Sequence, residues 1–288
     1  MYRSAEELVA MARSKHCLIS DIVLTKELEL YEKDARQTYE ELGKIYEVMK
    51  HSAYGAIEDP KRYRGKIIGD EARLMEDYSR KEGTYLGPVA SHAMAMAFST
   101  SLVNAAMGRI CAAPTAGASG ILPAALITAE EMFHHEEKEI LDALLTASAV
   151  GELIASSATL SGAQGGCQAE TGTAAAMAAA ALVQLRGGSP EACFNAAGIA
   201  IKNILGLVCD PIAGLVESPC AKRNASGVMN ALASAEMALA GVMSLIPFDE
   251  MVLTMKQVGS QLPASLRETS LGGIAITPTA KALEKKIL

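Results

Sequence analysis

The 288-residue sequence has no tryptophan and only four phenylalanines, and aromatic residues make up 4% of it. A core built from such a chain must rely on Ala, Leu, Ile, Val and Met, within a hydrophobic share of 50%. Basic residues are in deficit: 26 Lys and Arg stand against 33 Asp and Glu, for a formal net charge of −7. A nucleic-acid binder would carry a basic footprint, so that class is excluded. Charged residues are only 20% of so apolar a chain, which excludes disorder over most of its length. The N-terminal stretch MYRSAEELVAMARSK has no apolar core of signal-peptide length, and we expect a cytoplasmic protein. No stretch is apolar enough to read as membrane-spanning. Residues 228–246 come nearest, but they contain Asn230, Glu236 and many small residues. That run and the alanine-rich 173–185 read as buried helices.

Strand signals are scarce as well. There is no run of alternating β-branched residues and no strand–GxGxxG–helix unit, so a Rossmann domain is excluded. What is present is helical. The expected fold is all-α, a compact alanine-rich bundle whose site is built from Gly/Pro-rich loops between helices. We read one domain with three textures: a charged helical region (1–83), a core (84–275) and a charged tail (276–288). Ser4 and Glu7 fit a capping box. Residues 27–50 carry apolar residues at helical spacing, Asp59-Pro60 ends that stretch, and a second amphipathic stretch covers about 70–81. Between them lies a basic loop, residues 60–66. Within the core, Ser189-Pro190 marks a helix start. Glycine-rich punctuation falls at 108–120, 161–172, 187–190, 206–214 and 217–227.

Six cysteines without an export signal point to thiols or metal ligands. Cys17 and Cys193 are flanked by helical sequence and read as small core hydrophobes. Cys111 borders a polar loop. Cys167, Cys209 and Cys220 each sit beside Gly or Pro in loops, which can converge where helix interiors rarely do. Their spacings match neither a CxxC zinc motif nor a ferredoxin run, so spacing alone leaves three unrelated buried thiols as an equal alternative.

Four blocks carry a resemblance: NAAMGRICAAPTAGASGILPA (104–124), GAQGGCQAETG (162–172), GLVCDPIAGLVESPCAKRN (206–224) and RETSLGG (267–273). In these blocks and their order, over about residues 85–275, the sequence resembles the α chain of the two-chain form of iron–sulfur-dependent L-serine dehydratase (L-serine ammonia-lyase). The resemblance implies conversion of L-serine to pyruvate and ammonia. It implies an all-helical catalytic domain and a [4Fe-4S] cluster on Cys167, Cys209 and Cys220, with one iron open to act as a Lewis acid. It implies a separate β (regulatory) chain, a homo-oligomer, or both. Many relatives are single chains with a regulatory domain, which is not expected here, and some end in a cysteine that returns to the cluster. This chain ends ALEKKIL, so a self-inhibiting tail cysteine is not expected.

No lysine lies in a convincing phosphate-cradling context, and AGASG (116–120) lacks the Lys-Ser/Thr of a P-loop, so pyridoxal phosphate is not expected. The turn 113–120 opens into an apolar helix over 121–129, with Pro123 in its first turn. Such a helix start offers free N–H groups to a substrate carboxylate, with Thr115 and Ser119 as extra donors around Ala116 and Gly117. The residues alone favour an ordinary start capped by Ser119; the resemblance reverses that preference. Asn104 and Arg109 precede the turn, and Arg109 fits either a carboxylate or a structural salt bridge. Lys222, Arg223 and Asn224 follow Cys220, where a cation would offset cluster charge or merely face solvent, and Arg223 and Asn224 are candidate substrate contacts. Gln164 and Gln168 flank Cys167 and have amides to offer sulfur or substrate. Arg267, Glu268, Thr269 and Ser270 form a polar loop suited to closing the site.

The general base is open. The candidates are His92, Ser119 and Lys222; His134 and His135 read as solvent-exposed, and His16 and His51 as surface or packing residues. Two other readings share the motifs. One keeps the chemistry on L-threonine or L-cysteine. The other is a non-catalytic helical subunit with a structural zinc.

Overall fold

A computed structural model describes residues 2–32 and 34–287. The helices are α1 (Ala5–Lys15), α2 (Ile19–Tyr31), α3 (Ala35–Glu58), α4 (Glu71–Ser79), α5 (Gly87–Ala105), α6 (Ile121–Phe133), α7 (Glu137–Ser157) and the single turn α8 (Gly162–Gly165). They continue with α9 (Thr173–Leu185), α10 (Pro190–Lys202), α11 (Cys220–Leu239), α12 (Phe248–Gln261) and α13 (Pro278–Ile287). Among the described residues the only β-pairing is one isolated parallel bridge, Cys209 to Arg267. The fold is all-α.

The architecture follows from α9. Its sequence TAAAMAAAALVQL has no polar face, and every residue from Thr173 to Gln184 is buried. A helix apolar all round must be wrapped by others. Here α6, α7, α10 and α11 surround it, and methyl-sized side chains let their backbones approach closely. α5 closes a second layer against α3, α4 and α11. α7 is long and apolar enough to cross a membrane by composition, but two thirds of its apolar window is buried and it packs on α2 and α9 as a core helix.

Local signals explain most boundaries. Ser189 accepts from the Ala192 N–H at 3.2 Å and Pro190 occupies the first helical position, as its sequence implies. At α1 the Ser4 hydroxyl accepts from Glu7 N at 3.1 Å, but the Glu7 carboxylate turns to Arg3 N, so the reciprocal half of the box is displaced by one residue. The stretch 27–50 is not one helix. α2 ends at Tyr31, Glu32 takes a left-handed conformation, and Asp34 caps α3, with its side chain accepting from Gln37 N at 2.8 Å. Amphipathic spacing continues across the break, which is why the periodicity conceals it.

Three further expectations need correction. The run 228–246 is the second half of α11, which begins at Cys220 and ends at Leu239; residues 242–246 are an irregular segment with Leu245 largely exposed. The tail 276–288 contains α13, seated through Ala280. His135 is not exposed: its side chain packs edge-on to Phe133 and Nδ1 lies 3.2 Å from Glu139.

Candidate active site

The segment carrying Cys167 lies between α8 and α9. Ser161 caps α8, and Cys167 opens a π-helical turn, Gln168–Gly172, that runs into α9. The wider turn changes which residues share a face, a distortion often found at functional sites. The Thr171 hydroxyl donates to Cys167 O at 2.8 Å and stands 3.7 Å from Cys167 Sγ. Gln168 is fully buried. Its Nε2 donates to Gly165 O and Met255 O, both at 2.9 Å, and its Oε1 accepts from Gly206 N at 2.8 Å. Both N–H donors of the amide are taken by backbone, so it ties three segments together and has no N–H left for sulfur or substrate. Gln164 Oε1 is likewise taken, by Thr159.

Cys209 is held by backbone. Its N–H donates to Leu266 O at 2.8 Å, and its carbonyl accepts from Glu268 N at 2.7 Å, lashing residues 266–268 alongside it. Asp210 secures the same loop. Its Oδ2 accepts from Ile274 N at 2.7 Å, and Gly273, at φ +60°, is the only residue type that leaves room there, since a Cβ would meet Asp210 Cγ at 2.9 Å. Arg223 completes the brace, giving Nη1 to Val208 O and Nη2 to Asp210 Oδ1, each at 2.8 Å. Arg223 therefore has a structural role here, and its charge also acts on Cys167.

Cys220 is the first residue of α11 and not part of a loop. Glu217, unnoticed in the sequence, is buried just before it and accepts from the N–H groups of Lys66, Ile67 and Ile68 at 3.1, 2.7 and 3.2 Å. The basic loop is thereby fastened to the Cys220 turn. Asn224 is buried one turn later. Its Oδ1 accepts from Gly120 N at 2.8 Å, and its Nδ2 donates to Gly117 O at 2.6 Å and Cys220 O at 3.0 Å. It joins the 113–120 turn to Cys220, which leaves its amide no valence for a ligand.

That turn is a 3-10 turn, Ala116–Ala118, and three N–H groups in and just after it are taken. Ala118 N donates to Thr115 O, Ser119 N to Ala116 O and Gly120 N to Asn224. Ser119 does not cap α6; its hydroxyl donates to Ala116 O at 2.8 Å. Thr115 reaches inward, and its hydroxyl donates to Glu170 Oε1 at 2.7 Å.

Glu170 is the residue that sequence reasoning missed. It stands in the π turn, where the quoted motif shows only a glutamate among helix formers. Its Oε2 lies 3.9 Å from Cys209 Sγ. Two glycines clear space for the carboxylate: a Cβ on Gly162 would lie 2.6 Å from Oε2 and 2.9 Å from Cys209 Sγ, and one on Gly117 would lie 3.0 Å from Oε1. Burial raises the Glu170 pKa, the nearby Glu268 charge adds to this, and the Thr115 hydrogen bond opposes it. The thiols are pushed the same way. Burial is the leading cause for all three, and Cys220 is raised to about 12. Cys209 feels the charges of both Cys167 and Cys220, so the three sulfurs lie in one electrostatic neighbourhood.

The donor set fits a thiolate-held group larger than one ion. Among the described residues no set of three or more His, Cys, Asp or Glu is placed to hold a single metal ion. A multi-iron cube sets its thiolates further apart than one ion does. Two buried thiols and one half-buried thiol with raised pKa values, one carboxylate and a single partly offsetting arginine form a pocket short of positive charge. Iron would supply it and displace the thiol protons.

Several candidates are not brought here. Asn104 ends α5, where its carbonyl accepts from Met107 N. Arg109 lies in a recess with Lys44, Glu47, His51 and Glu137, and among the described residues no hydrogen bond joins it to the cysteine segments. Lys222 pairs with Glu71 at 3.1 Å on the surface. His92 is sandwiched between Glu76 and Glu131, with Nε2 3.5 Å from the latter, in a recess also lined by Arg80 and Thr128. The hydrogen bond to Glu131, with Glu76 behind it, lifts its pKa to about 9 against a burial effect that would lower it. A histidine held as a cation is no general base. Ser119 is bound to its own turn, as above. None of the three sequence candidates for the base is free to act.

Known proteins resemble this chain over most of its length. A sequence profile of the family described as serine dehydratase alpha chain matches residues 14–275. The probable L-serine dehydratase, alpha chain, of Bacillus subtilis (strain 168) is 44% identical over 287 residues, covering 100% of this chain and 95% of that protein. The L-serine dehydratase, alpha chain, of Peptoniphilus asaccharolyticus is 45% identical over 288 residues, covering 100% and 99%. L-serine dehydratase 2 of Escherichia coli (strain K12) is 35% identical over 281 residues, covering 96% of this chain but 61% of that protein.

Proposed function

The chain belongs to the serine dehydratase alpha chain family, and on that premise we propose that it is an L-serine ammonia-lyase, converting L-serine to pyruvate and ammonia in the cytoplasm. The observation that supports the reading is the nearness of Cys167, Cys209, Cys220 and Glu170 in one partly buried, electrostatically coupled pocket. Cys167, Cys209 and Cys220 would hold a [4Fe-4S] cluster. When bound, its fourth iron, which has no protein thiolate, supplies Lewis acidity to the substrate's β-hydroxyl.

The chain's own residues do the rest. Arg223 fixes the Cys209 segment and offsets part of the anionic charge of the thiolates. Gln168 and Asn224 hold the Cys167 and Cys220 backbones in register. Burial excludes water that would otherwise hydrate the carboxylate and compete for the substrate. Glu170 is the Brønsted base of the pocket: oriented through Oε1 by Thr115, it has Oε2 free of any ion pair to take the Cα proton. Loss of that proton and of the β-hydroxyl gives 2-aminoacrylate, which tautomerises and hydrolyses to pyruvate and ammonia. The relatives' names include an alpha chain, and we infer that a separate β chain completes the enzyme.

The test is anaerobic purification with absorbance in the thiolate-to-iron region, then a pyruvate assay with L-serine. A colourless protein that turns over serine at full rate after chelation would overturn the cluster assignment. A coloured protein inert toward serine, with and without a β chain, would overturn the activity.

A further inference from the structure

An α-amino acid brings a carboxylate as well as a hydroxyl, and a buried site must meet that charge with a cation. The cations first read from the motifs are committed elsewhere. Arg223 braces Val208 O and Asp210 and directs its charge at Cys167, Lys222 is paired with Glu71, and Arg109 lies in a different recess. The N–H groups of Ala118, Ser119 and Gly120 are bonded within their own turn or to Asn224.

Arg267 differs. Its backbone is the bridge partner of Cys209, so its Cα is pinned beside the site by the bonds Cys209 N to Leu266 O and Glu268 N to Cys209 O. Its Nε is buried with no hydrogen-bond partner. Its Nη1 reaches only the Gln164 carbonyl, at 3.5 Å, the outer limit of a hydrogen bond. No carboxylate pairs with it among the described residues, in a chain with seven more acids than bases. A partly buried guanidinium with an orphaned inner N–H, held against a loop of the thiol site, is a donor set waiting for an anion. A guanidinium suits a carboxylate because two parallel N–H groups meet two oxygens.

We propose that Arg267 binds the α-carboxylate of the substrate, making it the residue that selects amino acids with a free carboxylate. The assignment rests on the serine reading above and names the group that recognises the substrate's acid end. Arg267 touches no thiol, so its loss leaves the cluster in place.

The experiment compares L-serine with L-serinamide, which keeps the hydroxyl and ammonium but lacks the carboxylate, in wild type, Arg267→Gln and Arg267→Lys. In Arg267→Gln, KM for serine rises about 10- to 200-fold, the range expected for one lost charge-assisted recognition. The serinamide constant stays put, and cluster absorbance and circular dichroism match wild type. Calorimetric binding of L-serine weakens by the same factor, Arg267→Lys recovers part of it, and free guanidinium rescues Arg267→Ala. Equal loss for serine and serinamide, or loss of cluster colour, would make Arg267 a structural strut and overturn the proposal. Wild type that yields no pyruvate overturns the serine reading instead, so the two failures are distinguishable.

Discussion

Two polar clusters in this molecule meet burial in opposite ways. Around His92, every charge has a partner: Glu76 and Glu131 flank the ring, Arg80 reaches Glu76 at 2.9 Å, and Tyr54 donates to Glu131 at 2.5 Å. Burial would raise the Glu76 pKa, yet His92 and Arg80 bring it below the ordinary carboxylate range. Around Glu170, three thiols and a carboxylate share one partly offsetting arginine, and the carboxylate and all three thiols are pushed upward. A satisfied network holds a fold together. An unsatisfied one costs stability and retains capacity for a ligand, which is where chemistry is expected.

The strongest test of that contrast is to remove a thiol. Cys167→Ser, Cys209→Ser and Cys220→Ser should each abolish thiolate-to-iron absorbance and bring pyruvate formation to background, with helical circular dichroism retained. Cys193→Ser, in the core of α10, should lower the melting temperature and leave colour per folded protein intact. Retained colour in any of the three would break the assignment of the cluster to them.

Next comes the carboxylate. Glu170→Gln keeps the shape and the Thr115 hydrogen bond but cannot take a proton. A loss of about 10²- to 10⁴-fold in kcat is expected, with cluster absorbance unchanged. Gly162→Ala probes the same space from outside. Its methyl would sit 2.6 Å from Glu170 Oε2, so activity should fall there, while Gly187→Ala, with nothing within 4 Å, should cost only backbone strain. A Glu170→Gln enzyme at wild-type rate would move the base elsewhere.

These residues mark where the sequence could be read and where it could not. α9 was legible nearly to the residue, because an alanine run with no polar face admits one local structure. The three cysteines stood out by their loop context and by family motifs. Glu170 did not, because its role depends on a π turn and on Gly117 arriving from 53 residues earlier, and neither leaves a periodic trace. Arg223, Asn224 and Gln168 were read as ligand-facing because they are polar and adjacent to cysteines. Much of their hydrogen bonding goes to groups far along the chain, which no local pattern reveals.

The other half of the comparison predicts stability without activity. His92→Gln should lower stability by about 1–3 kcal/mol, a melting shift of several degrees, and leave kcat within a few-fold of wild type. The sign in pH follows from the raised pKa. A histidine that gains protons on folding stabilises fully below its unfolded value near 6.5, and the gain is lost as pH rises through about 9. The wild-type advantage over His92→Gln should therefore be largest at pH 6 and gone by about pH 10. The partners on both sides must stay ionised for this to hold. Glu76 and Glu131, lowered by the same contacts, do so throughout that window, and the Tyr54 hydroxyl, raised by burial and by Glu131, keeps its proton.

The smallest effect belongs to Lys222, which lies two residues from Cys220 and, by sequence alone, competes for the role of base. Its ammonium pairs with Glu71 at 3.1 Å with more than half of its side chain exposed, and water screens such a pair. Lys222→Ala should change stability by less than about 1 kcal/mol and kcat by less than about two-fold. Glu71 itself is anchored independently, because its other carboxylate oxygen accepts from Gly69 N at 2.7 Å, so α4 keeps its start when the lysine is gone. A large loss of kcat in Lys222→Ala, with colour intact, would show that proximity in sequence to a cluster ligand outweighs partner satisfaction in space. The contrast between the two clusters would then lose its predictive value at the residue where it claims least.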